Sequence, residues 1–182
     1  MKLASKLTLL LIFELIFFIS PYLCSAPIPV STCIDLQNIV TNNASASYVL
    51  AQDIDCSMVA SFTPVAITNN FLGMIDGQNH TIRHVRISVS VAFAAIFEGI
   101  QNATLKNINL YNCSVTSSNK NQVGVLVGSA SSGSVIENCH MIGDSNANNT
   151  ATCSGKFLGG MVGALDNSSI KDCTVSYVQI IF

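Results

Sequence analysis

Val123-Gly124-Val125-Leu126-Val127-Gly128, followed by Ile136-Glu137-Asn138-Cys139, returns later as Leu158-Gly159-Gly160-Met161-Val162-Gly163 followed by Ile170-Lys171-Asp172-Cys173. Two looser copies come first: Gly73-Met74-Ile75-Asp76-Gly77 with Ile82-Arg83-His84-Val85, and Ala95-Ile96-Phe97-Glu98-Gly99 with Leu105-Lys106-Asn107-Ile108. Aligning the four predicts apolar columns: Ile75, Phe97, Leu126, Met161; then Ile82, Leu105, Ile136, Ile170; then Val85, Ile108, Cys139, Cys173; then Ile87, Leu110, Met141, Val175. A glycine column (Gly77, Gly99, Gly128, Gly163) follows the first of these. The step of two between the last columns is strand alternation. The step of three predicts a strand that bends once and keeps both apolar residues inside. The glycines are expected to supply positive φ at tight corners. At the second column the copies lie 23, 31 and 34 residues apart. Self-similarity in that range indicates stacked repeats. With strand-like units the expected fold is all-β: a right-handed parallel β-helix of about four to six coils, each roughly 4.8 Å above the last. No coil can bury its inner face alone, so the stack supplies the core.

The two clear phrases resemble the GLUG motif, written G-G-L-V-G followed by I-x-N-C. Residues 71–82 (Phe71-Leu72-Gly73-Met74-Ile75-Asp76-Gly77-Gln78-Asn79-His80-Thr81-Ile82) are similar to the F-x-G-x-F-D-G-x-x-H-T-I segment that opens such arrays. Residues 48–55 (Tyr48-Val49-Leu50-Ala51-Gln52-Asp53-Ile54-Asp55) resemble their Y-x-L-x-x-D-I-D lead-in. The resemblance covers roughly residues 34–178 and departs at Val125, Ala94 and Ala95. It implies a secreted or surface-exposed protein of pectin-lyase-like β-helix architecture, often without known activity.

Residues 1–26 read as a signal peptide: Lys2 and Lys6 open it, Leu9 to Ile19 is apolar apart from Glu14, and Cys24-Ser25-Ala26 offers small residues for cleavage. This segment is the expected link to a membrane. Residues 27–70 are expected to form an N-terminal arm, a cap with a short helix within Asp35–Val40, and first strands at Tyr48–Leu50 and Thr63–Ile67. Residues 71–182 hold the repeats, with polar loops at 116–122 and 143–154. The apolar end, Val178-Gln179-Ile180-Ile181-Phe182, predicts an open β-edge and a truncated array, with edge-to-edge self-association as the rival explanation.

Six cysteines follow the expected cleavage point: Cys33, Cys56, Cys113, Cys139, Cys153 and Cys173. An even number in an exported chain suggests disulfides. Cys33–Cys56 would staple the cap. Cys139 and Cys173 share a column, at a coil spacing that suits a disulfide; small apolar core residues are the equal alternative. Cys113–Cys153 would be left over. Six N-x-S/T sequons occur, at Asn43, Asn79, Asn102, Asn112, Asn148 and Asn167. They are N-glycosylation acceptors in a eukaryotic secretory route, or simply turn residues that bond backbone groups.

Charged residues make up 10% of the chain and the net charge is −2, which argues against a nucleic-acid partner. No C-x-x-C spacing, G-x-S-x-G elbow or phosphate-binding loop is present. Asp53 and Asp55 would face one side of a strand, about 6.6–6.8 Å apart, a spacing usable for glycoside hydrolysis or calcium. Asp76 reads as a turn residue. His80 and His84 would lie about 13 Å apart on a strand, too far to share a metal. Arg83, Arg86, Lys106 and Lys171 are expected on the outer face, solvated. No catalytic residue, cofactor or metal site is assigned. The preferred reading is a non-catalytic secreted or cell-surface module that binds a glycan or a host or cell-surface protein. A carbohydrate-active enzyme carrying Asp53, Asp55 and Asp76, and a structural stalk of a larger surface protein, are the alternatives.

Overall fold

The computed structural model describes residues 25–65, 70–118, 122–144, 148–153 and 157–181. The targeting segment expected over 1–26 falls almost wholly outside them. The described chain winds as a parallel β-solenoid. One coil runs through Thr104–Lys106, Asn109–Tyr111, Ser114–Ser117, Gln122–Val123 and Val127–Ser131. Each of these strands stacks in parallel on its counterparts in neighbouring coils. The stacks form sheets of six, five, four, three and three strands. They are called here the first to fifth sheets, in the order the chain visits them.

The corners explain the step of three. Three columns of residues take left-handed φ: Asn107, Asn138 and Asp172 at 57°, 48° and 50°; His84, Asn112 and Tyr177 at 59°, 50° and 50°; Asn102, Ser132 and Asn167 at 47°, 56° and 44°. Asn, Asp and His tolerate this region better than other non-glycine residues. One such residue ends a strand and turns the chain, so that Leu105 and Ile108, on either side of Asn107, are both buried. Among the described residues the phrase glycines do not take positive φ; Gly133 is the glycine that does. The corner role expected of Gly77, Gly99, Gly128 and Gly163 therefore belongs to the polar residues.

The later columns form as read. Ile136 pairs with Ile170, Met141 with Val175, and the amide of Leu126 donates to Met161 O at 3.0 Å. The early copies are out of phase. Ile75, not Ile82, lies under Leu105. Ile82 stacks on Leu110 and Ile87 on Val115. Phe97 lies under Val127, so Glu98 and not Gly99 occupies the column of Gly128. The cause is that two of the three such corners in each coil have alike apolar flanks. Leu105-Ile108-Leu110 and Leu110-Cys113-Val115 have the same three-then-two spacing, so Ile82-Val85-Ile87 matches either. In the true register the coils run 30, 31 and 34 residues, from Ile75 to Leu105 to Ile136 to Ile170.

Glycine is needed for close approach instead. The phrase doubles back between the fourth and fifth sheets. A Cβ on Gly124 would lie 2.3 Å from Val127 O and 2.7 Å from Gly163 N, and one on Gly163 would lie 2.8 Å from Val123 N. No side chain fits between backbones that close.

At the N-terminal end, helices α1 (Cys33–Gln37) and α2 (Ile39–Asn43) cover the first coil. Thr32 and Asp35 form a reciprocal capping box at the start of α1. Leu36 and Ile39 are buried, and Cys33 is joined to Cys56 across a Cα separation of 5.4 Å. Inside, Tyr48, Phe71 and Phe97 pack ring against ring, with centroids 6.2 and 6.0 Å apart. Of the strand expected over Thr63–Ile67, residues 66 and 67 lie outside the described residues; Val65 forms a parallel bridge to Phe97, and Thr63 N donates to Gln37 Oε1 at 2.7 Å. Burial falls in the last described coil. Ile136 and Met141 are fully buried, but their partners one coil on, Ile170 and Val175, are 43% and 51% exposed. The last strand is Val178–Ile181.

Cys113, Cys139 and Cys173 carry free thiols, and Cys153 is buried. Register rules out the leftover pair: Cys153 stacks on Ser117, four residues or about 13 Å along the strand from Cys113.

Candidate functional site: the outer face of the second sheet

Inward Ile82, Leu110 and Met141 force their strand neighbours outward. Thr81, Asn109, His140 and Thr174 then form one column on the outer face of the second sheet, and Arg83, Tyr111 and Ile142 another. The corner asparagines border it and bond to one another. Asn138 Nδ2 donates to Asn107 Oδ1 at 2.8 Å and approaches Asn79 Oδ1 at 3.3 Å, while Asn109 Nδ2 donates to Asn79 O at 2.7 Å. His140 sits 3.0 Å from Asn138 Oδ1 and 2.8 Å from Thr174 Oγ1. Tyr111 donates to Asp144 at 3.0 Å, a bond that raises the phenol's pKa, and its ring meets His84 edge-on at 6.3 Å. The result is a flat, half-exposed platform of amides, imidazoles and one phenol.

The candidate acids sit at its N-terminal edge, each occupied. Thr81 N donates to Asp53 at 3.0 Å and His80 Nδ1 approaches it at 3.3 Å; the backbone bond holds the Asp53 carboxyl below its ordinary pKa, helped by the histidine. Asp55 takes His84 at 2.8 Å, Ser57 N at 2.9 Å and Arg83 at 3.2 Å, and the His84 bond drives its pKa well down. Asp76 is pushed up by burial, but bonds from Asn107, Gln78 N and Lys106 outweigh that and leave it lowered. All three are fixed anions that tie one coil to the next, and none is poised to give up a proton near neutrality. Three of the four expected outer-face cations are likewise engaged, Arg83 and Lys106 by these acids and Arg86 by the Asn112 carbonyl and side chain, while Lys171 is exposed as expected. Among the described residues no three His, Cys, Asp or Glu side chains gather as a metal site would require.

The sequence reading missed Glu98. It replaces the glycine of the later copies, is 6% exposed, and its Oε1 has no hydrogen-bond partner. Burial pushes its carboxyl up to about 7. A lone acid inside Ala94-Ala95-Ile96-Phe97-Glu98-Gly99-Ile100 was the available signal, hidden by placing Gly99 in the glycine column.

The sequon asparagines divide. Asn79, Asn102, Asn112 and Asn167 sit at left-handed corners, whereas Asn43 ends α2 and Asn148 lies in an exposed loop. Two shallow grooves open elsewhere. One of about 250 Å³ is lined by Ala60, Ser61, Arg86, Ile87, Ser88, Ser114 and Thr116, and one of about 310 Å³ by Gly133, Ser134 and Asn167 to Ser169.

This architecture defines a capped parallel β-solenoid with polar ladder faces. Residues 25–143 match the family described as the M26 IgA1-specific metallo-endopeptidase N-terminal region, and the chain belongs to that family. It is 25% identical over 144 residues to immunoglobulin A1 proteases of Streptococcus pneumoniae and Streptococcus sanguinis, covering 76% of this chain. It spans only 6% and 7% of their lengths. It is 30% identical over 161 residues to halomucin of Haloquadratum walsbyi, of which it spans 2%. A crystal structure of a protein assigned as an immunoglobulin A1 protease of Bacteroides ovatus shares the fold, with a TM-score of 0.54 and 17% identity over 86% of this chain and 65% of that one. No helix among the described residues is long and apolar enough to cross a membrane.

Proposed function

We propose that this protein is a non-catalytic recognition module, exported by residues 1–26, capped by 27–70 and built from GLUG-type repeats over 71–182. It acts outside the cell or on its surface and uses the outer face of the second sheet as a contact surface. The observation that carries this reading is the platform itself: Asn109, His140 and Thr174 in one column beside Tyr111, with the neighbouring acids locked in inter-coil bonds. A ring edge, amides and imidazoles in register offer apolar contact and paired donors and acceptors without a net field. Those are the groups that hold a glycan or a glycosylated protein surface. The family supports a partner role: in the IgA1-specific endopeptidases the matched portion is an N-terminal region, and immunoglobulin A1 is the first protein ligand to try.

The test uses immobilised residues 25–182 against a glycan array and against immunoglobulin A1. Saturable binding weakened about ten-fold or more by Tyr111→Ala or His140→Ala, as removal of a central contact residue does, supports the platform. Binding indifferent to both substitutions, or none at all, refutes it and leaves the stalk reading. Asn43 and Asn148 are the sequons best placed for glycosylation in a eukaryotic host.

A further inference from the structure

Cys139 and Cys173 occupy the same position in successive coils, just before strands that pair through His140 with Thr174 and Met141 with Val175. Parallel neighbours lie about 4.8 Å apart, inside the Cα range of disulfides. The Cys173 thiol already faces the backbone of the coil of Cys139: Cys139 N–H donates to Cys173 Sγ at 3.3 Å, and Cys173 Sγ reaches Ile136 O at 3.7 Å. Cys139 Sγ lies 3.8 Å from Leu105 O in the coil beneath, so closure needs the Cys139 side chain to rotate toward Cys173. Among the described residues Cys113 lies beside Asn149 and Cys153 beside Ser117, so neither stacks on a cysteine of the next coil.

We propose that Cys139 and Cys173 are an oxidisable pair that closes into a disulfide bolting the coil of Ile170 to the one beneath it. This rests on the coil register alone and stands whether or not the platform binds a ligand. Cys173 is half-exposed and Cys139 is buried, which sets the order of events. The Cys173 thiolate attacks a small disulfide R–S–S–R, forming Cys173–S–S–R and releasing R–S⁻, which takes up the proton Cys173 gave. Cys139 then loses its proton and attacks the Cys173 sulfur. The Cys139–Cys173 bond forms, the mixed disulfide breaks, and the second R–S⁻ leaves to be protonated. Two thiols are oxidised, one disulfide is reduced to two R–SH, and atoms and electrons balance. Burial pushes the Cys139 thiol up to about 12, which fits the second, slower step. The bolt secures a coil whose Ile170 and Val175 are 43% and 51% exposed and so contribute less burial to the stack.

The experiment incubates residues 25–182 with oxidised glutathione, blocks remaining thiols, and maps linkages by mass spectrometry without reduction. The bulk of Cys139 is expected in a peptide joined to Cys173, with Cys113 blocked as a thiol. Cys153→Ser retains the linked peptide and Cys173→Ser abolishes it. Recovery of both Cys139 and Cys173 as blocked thiols, or of Cys173 joined to any other cysteine, overturns the proposal.

Discussion

Replacing Gly124 with alanine tests the geometry of the repeated phrase. Its φ lies in the ordinary negative region, so alanine strains no backbone dihedral and the effect is steric. The new methyl would lie 2.3 Å from Val127 O, 2.7 Å from Gly163 N and 2.8 Å from Met161 O, all backbone atoms of the stack. Backbone cannot rotate away, so relief requires parting the fourth and fifth sheets. Overpacking of this kind costs about 1–3 kcal/mol, and contact with backbone alone places it at the upper end. The loss of unfolded-state freedom returns about 0.4–1 kcal/mol. The net is a destabilisation of roughly 2 kcal/mol, or about 1 M in urea midpoint for a slope near 2 kcal/mol/M. Gly160 is the control, because its added Cβ meets only the methyls of Val175 and Val178, at 3.4 and 3.5 Å. Gly160→Ala should leave the midpoint within about 0.5 M. Urea unfolding of residues 25–182 followed by circular dichroism reads both. Equal losses in the two variants, or a neutral Gly124→Ala, would refute the close-approach argument.

Other substitutions probe the acids and corners. Glu98, with an ordinary pKa of 4.5 and a folded value of about 7, binds more proton when folded, so stability should fall as pH rises from about 4.5 to 7. Glu98→Gln should flatten that slope, which amounts to at most about 3 kcal/mol in urea unfolding at pH 5 and 7.5; an unchanged slope would mean the carboxyl is solvated or paired. Asp55 has the opposite sign, since its lowered carboxyl stabilises the fold above the ordinary carboxylate range and loses that contribution as pH falls through its folded value. It is 40% exposed, so Asp55→Asn should cost only about 0.5–1 kcal/mol at neutral pH, with the difference vanishing in strong acid. At Asn138, φ is 48°. Asn138→Ala should cost about 1–2 kcal/mol and Asn138→Gly distinctly less, a ranking thermal unfolding can check.

The stack was legible because its periodicity survives in residue type: Ile136 over Ile170, Cys139 over Cys173 and Leu126 over Met161 follow from one alignment. The phase of the first coil was not. Two corners of identical spacing, and the extra residues in Gly77-Gln78-Asn79-His80, let Ile82 pass for a partner of Leu105. The role of the glycines was misplaced for a related reason, because sequence cannot distinguish a glycine needed for positive φ from one needed for the absence of Cβ. At the candidate site, Asp53 and Asp55 were visible as a pair. Their partners His80, Thr81, Arg83 and His84 lie one coil away, beyond the reach of a single-sequence reading until the register is known.

The register is the claim on which the platform, the thiol pair and the glycine argument all depend. Amide-resolved nuclear Overhauser spectroscopy of residues 25–182 measures it directly. The account predicts Hα-to-amide contacts linking Val135–Glu137 both to Thr104–Lys106 on one side and to Ser169–Lys171 on the other. Close Hα-to-Hα contacts of antiparallel pairing, or contacts placing Ile82 rather than Ile75 beside Leu105, would contradict it.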